Sequence, residues 1–113
     1  MNIAELYKIV FSTCVEFAVY QKDVVSNVEQ MLPMLNELGS LYFTENYYRL
    51  DEEDYHLVQM LLTDILKDIT QGLEQQDRVL LEDTLEYGLL KFLEIFLEDD
   101  EILALKEACV IEP

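Results

Sequence analysis

From Asp51 onward the apolar side chains recur at intervals of three and four: Tyr55, Val58, Leu61, Leu62, Ile65, Leu66, Ile69 and Leu73. At 3.6 residues per turn an α-helix brings residues so spaced onto one face, and a strand does not. The stretch therefore predicts a long amphipathic helix with a single buried side. Asp51 stands where an N-cap belongs, and Glu52, Glu53 and Asp54 place carboxylates at the positive end of the helix dipole. Gly72 and Gln75-Gln76 mark its end, and Asp77 offers a cap for the next helix. In that helix Leu81, Leu85, Leu89, Phe92 and Phe96 make a row, with small Gly88 beside it.

The same period runs through most of the remaining chain. Ile3, Leu6, Tyr7, Val10, Cys14, Phe17 and Ala18 predict a first helix over 3–21, with Phe11 less in phase. Asp23 and Ser26 offer N-caps for a second, and Ser26-Asn27-Val28-Glu29 has the form of a capping box. Val28, Met31, Leu32, Leu35 and Leu38 supply its apolar face, and Gly39 is expected to stop it in a left-handed cap. Pro33 removes one backbone hydrogen bond and should kink or restart that helix. Residues 40–50 lack a helical period and read as a long connection, with a small hairpin at Glu45-Asn46 as the alternative. Glu98-Asp99-Asp100-Glu101 breaks the pattern, and Ile102, Leu103, Leu105 and Ala108 suggest a short terminal helix. Short links favour antiparallel neighbours. The expected fold is all-α: one domain over 1–113, an up-down bundle of about four main helices plus a short C-terminal one.

Composition agrees with helices, since Gly (3) and Pro (2) are scarce and Leu supplies twenty residues. Charge is the unusual quantity. Twenty-four carboxylates against seven Lys and Arg give −17, and eighteen of those acids fall in residues 51–113. Such a surface repels phosphate backbones and anionic headgroups, so neither nucleic acid nor membrane is expected as a direct partner. The charge can simply keep a Leu-rich protein soluble, or it can serve a basic partner or mimic nucleic acid. Cys14 and Cys109 lie far apart in apolar contexts and are expected to be buried free thiols. Met1-Asn2-Ile3-Ala4-Glu5 lacks the basic start of a signal peptide, and no run approaches the roughly 20 apolar residues of a membrane span. The expected setting is cytoplasmic.

Glu53-Asp54-Tyr55-His56 contains Glu-x-x-His, half of a di-iron carboxylate site, but His56 is the only histidine. A capped first turn followed by a surface histidine is the simpler account. One histidine and two scattered cysteines make neither a zinc site nor a catalytic triad. Gly39, Gly72 and Gly88 are isolated, so no phosphate-binding loop exists. The acids at 98–101 lack the alternating ligands and glycine turn of a calcium loop. No catalytic, cofactor or metal residues are assigned.

Two interaction signals remain. Tyr42, Phe43, Tyr47 and Tyr48 are dense for a connection. They form either a plug over the core or a partner-binding patch. Tyr87, Leu90, Leu93 and Leu97 lie off the main leucine row. They form either a second stripe facing another subunit, which leaves a homodimer open, or the sides of a helix buried nearly all round.

The run Gly72-Leu73-Glu74-Gln75-Gln76-Asp77-Arg78-Val79-Leu80-Leu81-Glu82-Asp83-Thr84-Leu85-Glu86-Tyr87 resembles a pattern in small acidic helical proteins of Gram-positive bacteria. In those proteins Gln-Asp-x-Val-Leu-Leu-x-Asp leads into Leu-Glu-Tyr-Glu-Leu. Here Gly88 replaces the second Glu, which puts packing at that position. The resemblance covers about a fifth of the chain and implies a helical bundle without site residues. The expectation is a non-catalytic adaptor or chaperone-like protein with an unidentified protein partner. The alternative is an acidic inhibitor that mimics nucleic acid. A wide apolar groove would favour the first, and a strip of evenly spaced carboxylates the second.

Overall fold

A computed structural model describes residues 3–20, 24–43 and 49–111, with the backbone alone for 20, 41–43 and 109–111. The described residues are almost entirely helical, and no strand occurs among them. Helix α1 spans Ile3–Tyr20, α2 Val24–Phe43 and α3 Glu52–Gln75. A continuous rod follows: α4 (Arg78–Asp83), a π-helical segment (Thr84–Leu89) and α5 (Leu90–Glu94). Helix α6 (Asp99–Ile111) closes the order. The fold is all-α, and its helix packing is roughly that of an up-down bundle.

The rod is the spine, packing against α3 on one side and α1 and α2 on others, while α6 lies on α1. Leu81, Leu85, Leu89 and Leu93, four residues apart throughout, are all fully buried. In a pure α-helix each step of four overshoots a full turn by about 40°, so such a row would drift around the helix. The wider π turn corrects the drift. Its signature is the Leu90 N–H, which donates to the Leu85 carbonyl five residues back. The π turn departs from the plain α-helix that the periodicity predicts, and the unbroken spacing of four is its trace in the sequence. Of the residues expected off the row, Leu93 instead continues it, Leu90 is buried beside it and Tyr87 is exposed. The rod is thus buried on most sides, but not on the side that carries Tyr87.

Helix α3 begins as expected, with the Asp54 N–H donating to Asp51 Oδ1 at 2.8 Å. Its buried face holds Val58, Leu62, Ile65, Ile69 and Gly72. Leu61, expected on that face, is 40% exposed at its margin. The helix ends at Gln76, which is left-handed (φ 49°) and donates its N–H to the Gly72 and Leu73 carbonyls. Gly72 itself is a packing residue, because a Cβ there would stand 2.7 Å from Leu81 Cγ and Cδ2. Asp77 then caps α4, accepting from the Leu80 N–H at 3.0 Å. Removing that acceptor leaves an N-terminal N–H without its partner. Asp77→Ala is expected to lower stability by about 1 kcal/mol in urea titrations, and Asp77→Asn by less.

Helix α2 differs from its expected bounds at both ends. It starts at Val24, so Ser26 lies inside it on the exposed side and caps nothing. The reason is burial: Val24, Val28, Met31, Leu35 and Leu38 form one buried row that extends past the capping signal. Gly39 is helical rather than left-handed and does not stop the helix, which runs on to Phe43. Residues 40–43, expected in the connection, therefore belong to α2, and the hairpin alternative at Glu45-Asn46 lies outside the described residues. Pro33 lies within the same helix on its exposed face, where solvent reaches the unmatched carbonyl. Asp23, the other cap candidate, lies outside the described residues. At the far end of the rod the Ile95, Phe96 and Leu97 N–H groups each donate three residues back, and the chain turns into α6. There the Glu98 N–H donates to Glu101 Oε1 at 3.2 Å, half of a capping box.

Candidate functional site

Helix α3 and the rod run antiparallel, since Gly72 faces Leu81 and, seven residues earlier and later, Ile65 faces Gly88. Between their outer sides lies an open groove of about 480 Å³. Its floor is formed by Ile65, Leu80, Thr84, Gly88 and Phe92, all buried or half-buried. One wall is Leu61, Asp64 and Asp68 on α3; the other is Asp83, Tyr87, Lys91 and Ile95 on the rod. The α3 wall is a row at three-and-four spacing and the rod wall a row at four across the π turn, so each presents one continuous edge. Tyr87 is 68% exposed and Ile95 56%. Leu57 and Met60, also more than half exposed, continue the α3 wall by a turn. Gly88 keeps the floor low: nothing projects between Ile65 Cγ1 and Thr84 Cγ2. The Thr84 hydroxyl is turned back onto the Leu80 carbonyl at 2.7 Å, so the floor offers apolar surface.

A second groove, of about 420 Å³ between α1 and α2, has a different lining. Lys8, Ser12, Glu16, Asn27 and Gln30 share it with Ile9, Met31 and Met34, and the Asn27 amide donates to Glu16 at 3.0 Å. It is a mixed polar and apolar seam between the two helices.

Among the described residues, two titratable groups depart clearly from their ordinary pKa values, Cys14 and Glu82. Cys14 is a buried free thiol on α1. Burial, then the charges of Glu82 and Glu86, push its pKa up to about 12, so it stays protonated and a poor nucleophile. Glu82 is half-buried, and its pKa is raised to about 7 by burial, then by Glu86 and then by Asp83. A carboxyl with an ordinary value of 4.5 and a folded value near 7 contributes stability that is fully present below about pH 4.5 and fades as pH rises through 7. The thermal midpoint is therefore expected to rise from pH 7.5 to pH 5.5. In Glu82→Gln that rise should shrink; an undiminished rise would place the effect on other carboxylates.

Glu53 and His56 are both exposed near the start of α3, beside Glu52, Tyr55 and Gln59. Among the described residues no three His, Cys, Asp or Glu side chains converge as a metal site would require. The acids of 98–101 are exposed at the start of α6. Tyr42 and Phe43 lie in the last turn of α2, but their side chains, like all of Tyr47 and Tyr48, lie outside the described residues. The Cys109 side chain does too. Sequence reasoning missed the groove because it placed Leu61 in the core and did not single out Ile95. The spacing of Asp83, Tyr87, Lys91 and Ile95 by four was the available signal.

No described helix is long and apolar enough to cross a membrane. No protein-family model, curated protein or solved structure matches this chain.

Proposed function

We propose that this protein is a non-catalytic protein-binding module, an adaptor or chaperone-like bundle, whose groove between α3 and the rod receives an apolar helix of a partner protein. One observation carries the reading. Leu61, Tyr87 and Ile95 stand exposed around an apolar floor, with Leu57 and Met60 extending the edge. Exposed apolar side chains gathered in a concave strip mark interaction sites more often than scattered ones do. A groove between two helices is the usual seat for a third. Acidic mimicry of nucleic acid draws its support from net charge alone, and the groove favours the adaptor. A buried free thiol suits a cytoplasmic setting. The resemblance to small acidic helical proteins of Gram-positive bacteria would make that setting bacterial.

The test starts from the complex co-purified from the native cell. Leu61→Ser, Tyr87→Ser and Ile95→Ser change no charge and lie outside the buried core, so the helical spectrum and melting temperature should persist. Each is expected to weaken the partner's affinity by roughly tenfold, the effect of truncating a well-packed interface anchor. If all three hold the partner as the parent does, the groove is not the interface.

A further inference from the structure

We infer, resting on the groove reading above, that its occupant is a partner's amphipathic helix of about four turns with Lys or Arg clustered at one end. The apolar floor says that something apolar sits there; the distribution of charge along the walls says what else it carries. Because Gly72 faces Leu81 and Ile65 faces Gly88, the end of the groove near the Gln76-Asp77 turn is the end that holds Asp68 and Asp83. The other end holds Leu61 and Ile95. The groove is thus acidic at one end, while the other is apolar with Lys91 between Leu61 and Ile95. Neither Asp64 nor Asp68 has an ion pair among the described residues. The one cation in the lining, Lys91, lies 3.8 Å from Glu94, which spends part of its charge outside the groove.

These facts discriminate among occupants. A second copy of a chain with net charge −17 would bring acidic walls against acidic walls. Nucleic acid would meet the same repulsion. A helix with cations over Asp68 and Asp83 and apolar side chains over Leu61 and Ile95 satisfies both ends. The length follows from the rod: Leu80 to Ile95 spans roughly 22 Å at 1.5 Å per residue, about four turns.

The full-length protein, labelled with nitrogen-15, is titrated with two synthetic helical peptides of about five turns. Both carry one leucine stripe. One has lysines clustered at an end and the other has glutamates there. Expected are shifts at the amides of Leu61, Gly88 and Ile95 with the lysine peptide and none with the glutamate peptide. The double variant Asp68→Lys/Asp83→Lys should weaken the lysine peptide at least tenfold, and Asp68→Asn/Asp83→Asn less. Equal binding of both peptides in the groove, or of the lysine peptide by parent and both variants, overturns the basic occupant and leaves the groove reading standing. Groove amides that shift with protein concentration alone identify a second copy and also overturn it. Shifts by the lysine peptide that avoid the groove sink both readings together.

Discussion

Replacing Leu85 by alanine is expected to lower the stability of the fold by about 3–5 kcal/mol, measured as the free energy of unfolding in urea. Leu85 is fully buried in the π segment, between Leu81 and Leu89, where the rod meets α1 and α3. Truncation there removes the transfer free energy of the side chain and leaves a cavity whose walls belong to several helices. Those walls cannot all close in together, so the upper part of the usual range applies. Leu57→Ala is the natural control. It removes the same atoms from a residue that is 55% exposed, and surface substitutions generally stay within about 0.5 kcal/mol. A loss below about 1 kcal/mol at Leu85 would show that the leucine row is not the spine of the core.

Gly72→Val should be nearly as damaging, at about 2–3 kcal/mol. A helical glycine usually gains about 1 kcal/mol on replacement by alanine, because the unfolded chain loses freedom. At Gly72 that gain is opposed. The new Cβ would meet Leu81 Cγ and Cδ2 at 2.7 Å, and Leu81 is itself fully enclosed. Valine adds two further methyls against the same neighbour, so α3 and α4 must separate near their shared turn. Gly88 supplies the contrast. Its nearest neighbours are Ile65 Cγ1 at 3.4 Å and Thr84 Cγ2 at 3.8 Å, close to ordinary contact. Gly88→Ala should therefore change stability little, within about 1 kcal/mol. The two variants together, followed by thermal melting, test whether glycine is needed for contact at one site only. Equal losses at both would remove that distinction.

What the sequence disclosed and what it hid divide along a physical line. The start of α3, its end near Gln76 and the cap at Asp77 were legible, because each depends on residues within one turn of each other. The bounds of α2 were not. Ser26 and Gly39 are local signals, and the burial of Val24 and Leu38 by other helices outweighed them. Leu61 illustrates a second limit. Periodicity gives the centre of a buried face but not its width, which depends on how near the neighbouring helix stands. The groove is a relation between α3 and the rod, so no stretch of either helix announces it. Tyr87 came nearest, being visibly out of line with the leucine row.

The π segment serves two demands on one helix. Along the rod, the leucines that meet α1, α2 and α3 keep a spacing of four, while a straight α-helix would alternate between three and four. The rod therefore holds one residue more than its core contacts require, and the surplus is taken up between Thr84 and Leu89. That same stretch carries Tyr87 and Gly88, the high and low points of the groove. Widening the turn changes the outward direction of the residues around it while the inward row stays fixed. The turn that keeps the leucine row in register thus also sets the outline of the groove, whose floor shares Ile65 and Phe92 with the core.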